Sequence, residues 1–428
     1  MEITPEFRSR LITMAKQNKE PDWFIKQRLQ ALQQVVQLNK PVIQRFKYQN
    51  WDLTPLTEFI PLTTAGAFST DNASPSALNP RLIQFESTTI RVTLPTELLS
   101  QGVIVCDLMT ALHQYGDLVA KYWGQALKDN SDQLTKYNEA LVNNGIFIYV
   151  PEEVNSKQVL QLELKSNSKH EQQPFISRVL IVTQANSRLN IMQHQITSGT
   201  QVNLANCVVE VVAAENSRVE FTALDEMAAQ TLTYLQRQAV VGPNARVNWS
   251  IGLFNYGDTV ANFNTNLMGQ GSSSEAKVVA ISAQKQRLGI NTGVTNGGQH
   301  TEGRIAQRGI LLDNSELVFN GIGHILHGAS GAKAEQENRV LMMSNQAHGN
   351  ANPMLLIDEN DVVAGHAASV GQVDQQQLYY LMSRGIDEET AKRMVIRGFL
   401  GTILSELDNK SVRKQFSETI ERKLTNGY

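Results

Sequence analysis

The sequence predicts a mainly β protein: a stacked β-coil in the middle, with helical segments before and after it. Three observations carry this. Helix-period apolar patterns occupy both ends, the period changes to short β-rich runs from Gly145 onward, and one turn signature recurs through that middle. The segments divide as 1–144, 145–372 and 373–428.

The first segment reads as mostly helical. After Glu20-Pro21-Asp22, apolar residues fall at Trp23, Phe24, Leu29, Leu32, Val35 and Val36, and Asn39-Lys40-Pro41 stops the pattern. A Ser/Thr/Asn-rich stretch near 61–80 reads as a mobile linker. Asp107 then opens a second helical run with Leu108, Ala111, Leu112, Tyr115, Leu118 and Val119. In the middle segment, β-rich runs lie at Ile146–Val150, Arg178–Thr183, Leu189–Met192, Cys207–Val212, Val219–Thr222, Arg246–Ile251 and Lys277–Ile281. The turn signature is Asn186-Ser187-Arg188, then Asn216-Ser217-Arg218, then Asn244-Ala245-Arg246, roughly every 30 residues. Weaker echoes stand at Ser274 and Asn314. Asn tolerates the left-handed backbone that coil corners need. A coil cannot bury its apolar face alone, so it stacks on the next. The repeated turn favours a β-helix over a β-sandwich, the other short-strand fold. In the last segment, Asp374 with Gln377 reads as a cap for a helix over Gln375–Arg384, with Gly385 as its C′ residue. Asp387-Glu388-Glu389 starts the next helix, and the last one carries Val412, Phe416, Ile420 and Leu424 every fourth residue. Such narrow stripes require a partner surface.

Composition removes several functions. The 428 residues carry Lys+Arg 38 against Asp+Glu 41, a net charge of -3, with no basic run to hold nucleic acid. Charged residues are 18%, below the roughly 25% of an average globular chain, and Asn, Gln, Ser and Thr fill the surface instead. No window approaches the roughly 20 apolar residues of a membrane span. The opening MEITPEFRSR lacks a signal-peptide core, and two distant cysteines make no disulfide framework, so a cytoplasmic protein is expected.

Catalytic signatures are sparse. There is no Gly-Lys and so no P-loop, and no GxSxG, HExxH or CxxC. His324 and His327 are weak metal candidates, because residues three apart on a strand face opposite ways. Asp358, Glu359 and Asp361 could serve as acid and base or bind calcium, but a polar corner is the simpler reading. Cys106 stands at a predicted helix start, where a thiolate would be stabilised, and Cys207 in an apolar strand; buried structural roles suit both better. His366, in Gly365-His366-Ala367-Ala368-Ser369-Val370-Gly371, is flanked by small residues that leave its imidazole accessible to iron, zinc or a partner.

That run, continued by Gln372-Val373-Asp374 and by Leu378-Tyr379-Tyr380-Leu381-Met382-Ser383-Arg384-Gly385-Ile386, resembles the C-terminal signature of the SufB/SufD family of the SUF iron–sulfur cluster assembly system. Glu20-Pro21-Asp22-Trp23 with Arg28, Gly145 to Pro151, Asn320-Gly321-Ile322, His327-Gly328-Ala329 and Arg397-Gly398-Phe399-Leu400 fit as well. Within the family the sequence is similar to the SufD branch, since SufB carries a C-terminal cysteine and none lies here beyond Cys207. The resemblance implies a right-handed parallel β-helix between helical domains, in a non-catalytic scaffold. It pairs with a SufB-like paralogue and docks a SufC-like ABC ATPase on Leu378, Tyr379, Tyr380, Arg384, Gly385, Arg397, Gly398 and Phe399. It gives the stripes near Phe399 and Phe416 that ATPase as partner. It also implies a transient iron–sulfur cluster at the SufB interface with His366 as ligand or support, and no cofactor held stably by the chain alone. A homodimer of the isolated chain stays open. The alternatives are a SufB-type cluster scaffold, and a β-helix polysaccharide enzyme acting through Asp358, Glu359 and Asp361.

Overall fold

The computed structural model describes residues 3–56, 80–128, 131–167, 174–407 and 409–426. The linker expected near 61–80 lies, but for Pro80, outside them. The chain opens with α1 (Pro5–Gln17) and α2 (Asp22–Val35), followed by β1 (Arg81–Phe85), β2 (Thr88–Thr93), α3 (Thr96–Ser100) and β3 (Ile104–Asp107). Three short helices come next, α4 (Leu108–Gln114), α5 (Gly116–Tyr122) and α6 (Gln133–Leu141). Asp107 caps α4 as its sequence position predicts, accepting from the Thr110 N–H at 2.9 Å. Arg28 gives the Glu20…Arg28 pair a structural meaning. Its buried guanidinium clasps the Glu20 carboxylate and donates to the carbonyls of Ala140 and Val142, fastening α2 to the end of α6.

From Asn144 the chain winds between two sheets. Its first strands are β4 (Asn144–Val150), β5 (Asn155–Asn167), β6 (Phe175–Thr183), β7 (Arg188–Ser198), β8 (Asn203–Ala213) and β9 (Arg218–Glu226). Then come β10 (Thr231–Val241), β11 (Arg246–Leu253), β12 (Thr259–Leu267), β13 (Ser273–Ser282) and β14 (Arg287–Asn296). The last are β15 (Glu302–Leu311), β16 (Glu316–Ile325), β17 (Ala332–Met342), β18 (His348–Ile357) and β19 (Val362–Gln372). Odd strands from β5 stack in one sheet and even strands from β4 in the other, all parallel. The result is a parallel β-solenoid of about 7 turns, not a sandwich. At the N-terminal end β2 runs antiparallel to β1 and β3 antiparallel to β4. There Leu98, Val103 and Val105 plug the inner core.

The corners confirm the turn signature and correct its continuation. Asn186, Asn216 and Asn244 all take the left-handed conformation, at φ 59, 57 and 53°. Each donates its N–H to a carbonyl of the next coil, to Glu215, Pro243 and Gln270 in turn. The next corners are Gly271, His300 and Gly331, also left-handed and bonded forward in the same way. The echo read at Ser274 lies inside β13, and Asn314 sits on the opposite corner beside left-handed Asp313. Glycine meets the same backbone demand without asparagine's letter.

Helices cover one outer face of each sheet. The N-terminal helices lay Phe24, Leu32, Leu134 and Tyr137 on Phe147, Leu180 and Val182 of the even sheet. The C-terminal helices, α7 (Gln375–Ser383), α8 (Glu388–Ser405) and α9 (Lys410–Asn426), turn back over the odd sheet. Ile396, Leu400, Ile403, Phe416 and Ile420 meet Met192, Leu224, Val279, Ile281 and Ile310 there. This corrects one expectation. The Val412, Phe416, Ile420 and Leu424 stripe is buried against the chain's own solenoid, so it offers no surface to an ATPase. Phe399 is half-buried, with the Arg308 guanidinium 6.0 Å from its ring centre. Among the described residues no helix is long and apolar enough to cross a membrane.

Lys423 locks α9 in place. It is 2% exposed, donates to the Asn255 carbonyl, and stands 4.0 Å over the Tyr256 ring, while Arg422 pairs with Glu226 at 2.6 Å. Burial lowers the Lys423 pKa to about 7, against a pull upward from Glu226. The unfolded chain keeps this proton to roughly pH 10.4, so it binds more protons than the native state between those values, and stability rises with pH across that window. From pH 7 to 9 the wild type should gain about 2 kcal/mol more than Lys423→Met in urea unfolding. Parallel pH curves for the two proteins would refute this.

Candidate functional site at the open end of the solenoid

Among the described residues no further strand pairs with β18 or β19, so both end the stack as edges. The C-terminal helices could have capped this end, but their apolar faces match the outer face of the odd sheet instead. Two edge strands, of 10 and 11 residues, therefore present unpaired N–H and C=O groups. Leu356, Ile357, Val363 and Val370 are exposed apolar residues along them. An edge of this length is a pairing template.

Register fixes which way His366 faces. Paired residues of parallel strands share a face. Trp249 pairs with Ala276, Ala276 with Ile305, Ile305 with Gln336 and Gln336 with His366. Trp249, Ala276 and Ile305 belong to the inner core, so His366 stands in the inward register at its last step. The same argument from Phe319 places Ala351, Pro353 and Leu355 inward on β18. The terminal ring is thus Ala364, His366, Ala368 and Val370 facing Ala351, Pro353 and Leu355, with one imidazole among small and apolar groups. His366 is exposed, and it has no hydrogen bond or ion pair among the described residues.

The other candidates separate. His324 Nε2 lies 3.0 Å from Asp358, and His327 Nδ1 3.8 Å from Glu359, as two distinct pairs. Glu359 accepts from the backbone N–H of Gly328 and of Asn360, which hold its carboxyl below the usual range; Asp361 accepts from the Ser330 hydroxyl at 2.8 Å. These carboxylates tie corners together. Among the described residues no group of three or more His, Cys, Asp or Glu could hold a metal ion. Cys106 and Cys207 are buried, and burial pushes both thiols far up, with Asp107 and Asp225 adding to it.

Of the residues expected to dock an ATPase, Leu378 is core, while Tyr379, Tyr380, Arg384 and Gly398 are exposed. Arg384 stacks 5.1 Å from the Tyr380 ring centre, and Met382 and Met394 extend the apolar surface. Gly385 ends α7 at φ 86°, and Arg397 ties α8 to Glu421 of α9. The sequence reading anticipated a solenoid edge but missed its apolar lips. It also missed an amide ladder on the outer face, where Asn352, Asn320 and Asn291 each donate to the rung before, ending at Asn262. The recurrence of asparagine at one register was the available signal.

Fold and site define a β-solenoid with helical flanks whose distinctive surface is an uncapped, strand-edged end. The family model described as "SUF system FeS cluster assembly, SufBD core domain" matches residues 165–399, and that of the "SufBD protein N-terminal region" matches 81–162. The chain is 38% identical to the iron-sulfur cluster assembly protein SufD of Bacillus subtilis, over 97% of each chain. It is 24% identical to an iron-sulfur cluster assembly SufBD family protein of Staphylococcus saprophyticus, over 92% of this chain and 88% of that one. The chain belongs to the SufB/SufD family of the SUF iron–sulfur cluster assembly system.

Proposed function

We propose that this chain is a SufD-type, non-catalytic scaffold subunit of a SUF complex in the cytoplasm. The open end carries the reading: two long unpaired edges with an accessible, inward-register imidazole between them. A SufB-like paralogue would supply the missing backbone partners along β18 and β19. In the isolated chain a second copy would take that place. The cluster is cargo, held transiently between the paralogue's thiolates and His366 and not resident in this chain. Iron–sulfur clusters rest mainly on thiolates, and a neutral imidazole can complete the set. Tyr379, Tyr380, Met382 and Arg384 would receive a SufC-like ABC ATPase. Because α8 and α9 are packed onto the odd sheet, approach of two ATPase copies would strain the solenoid end that shares that sheet. The SufB-type alternative needs an accessible thiolate, and both cysteines here are buried.

Co-purification of the tagged chain under anaerobic conditions should bring down the paralogue and the ATPase. His366→Ala should keep that complex and lower cluster formation by on the order of tenfold. An unchanged cluster yield removes the ligand role. Recovery of the chain without either partner overturns the scaffold reading.

A further inference from the structure

The solenoid interior changes character below His366. Along its register column the apolar residues Trp249, Ala276 and Ile305 give way to Gln336; along the next, Ile251 and Val278 give way to Gln307 and Asn338. Gln336 is 5% exposed and Asn338 0%. Gln336 Nε2 crosses the interior to the Met354 carbonyl at 2.8 Å, and Gln307 Nε2 donates to Thr292 Oγ1 at 2.8 Å. Gln336 Oε1, Gln307 Oε1 and both amide atoms of Asn338 keep no partner among the described residues. Gly321 makes the room. A Cβ there would lie 2.3 Å from Gln336 Oε1 and 2.6 Å from Asn338 Nδ2. Four orphaned amide atoms on two adjacent rungs of a close-packed core, three on β17 and one on β15, are costly unless something hydrogen-bonds them, and they offer both acceptors and a donor.

We infer that this carboxamide chamber holds ordered water which bonds the His366 imidazole from below, making Gln336 and Asn338 positioning residues for it. The chamber carries no charge, so it can fix which ring nitrogen bears hydrogen without forcing the ring into its cationic form. One nitrogen is then held by the chamber, and the other is left facing the open end. The role assigned to these residues rests on the proposed function of His366; the hydration of the chamber does not.

The test pairs wild type with Gln336→Met/Asn338→Leu, near-isosteric changes that remove three of the four unpartnered amide atoms and leave only Gln307 Oε1, so the fold should survive. A high-resolution crystal structure of the wild type should place water between the amides and His366. With the histidines labelled with nitrogen-15, one tautomer of His366 should dominate at a fixed pH of about 8, and the double variant should shift the tautomer ratio. In the assembled complex the variant should lose cluster formation on the order of tenfold, as when a ligand's supporting hydrogen bond is removed. Should the double variant fail to fold, Asn338→Ser, which keeps a hydroxyl there, should retain the water and the wild-type tautomer. A dry chamber, or a tautomer ratio unmoved by the double variant, overturns the inference. If His366→Ala lowers cluster yield while the double variant does not, only the positioning role falls. If His366→Ala is silent but the water and the tautomer shift are found, the cluster role falls and the chamber stands.

Discussion

Replacing Arg237 with Met is expected to cost the fold about 3–5 kcal/mol in urea unfolding. Arg237 on β10 and Asp225 on β9 face each other inside the solenoid at 2.8 Å, with exposures of 1% and 0%. The guanidinium also lies 5.3 Å from the Phe263 ring centre, in the same interior. The pair is worth little as a net attraction, because two ions leave water to form it. Its removal by halves is another matter: without the guanidinium, Asp225 keeps a buried charge with no other ion-pair partner among the described residues. Asp225→Leu with Arg237→Met removes both ions and should recover most of the loss, leaving the double variant within about 2 kcal/mol of wild type. A single variant within about 1 kcal/mol of wild type would mean that water reaches the interior and screens Asp225. The neighbouring Gln193 side chain, buried with neither amide atom partnered among the described residues, marks the place where such water would sit.

Much of the fold was legible because local physical demands leave letters behind. The Asn186, Asn216 and Asn244 corners were readable since few side chains accept a left-handed backbone, and Asp107, Asp374 and Asp387 were readable as helix caps. Where glycine or His300 met the corner demand, the signature changed and the period was lost. Strands β1 to β3 escaped because they are short, and because β1 and β3 take partners from coils farther along the chain, β5 and β4, while β2 pairs only with β1. The site was half legible. The residues around His366 announced accessibility, but its inward register depends on counting pairs through β11, β13, β15 and β17, a quantity that no single strand contains. Helical period likewise says that a stripe is buried without naming what buries it.

That last point makes Phe416 decisive. Phe416→Ala is expected to cost about 3–5 kcal/mol, the range for deleting a large buried aromatic side chain. Its ring is 1% exposed and meets Phe254 edge-on, with centres 6.1 Å apart, over Gly252. A Cβ at Gly252 would stand 2.9 Å from the Phe416 ring, so the solenoid is shaped to admit it. Losing the ring should loosen α9 before the solenoid itself, leaving Arg422 and Lys423 to hold it, and proteolysis within 410–426 should appear first. Tyr379→Ala and Tyr380→Ala should behave in the opposite way. Tyr379 is 72% exposed and Tyr380 also lies outside the core, so their removal should change stability by less than about 0.5 kcal/mol. If those two changes abolish recovery of an ATPase while Phe416→Ala weakens it only as far as α9 is loosened, docking belongs to α7. If Phe416→Ala instead removes the ATPase with no loss of stability, the ring is available to a partner after all, and α9 must leave the solenoid when the complex forms.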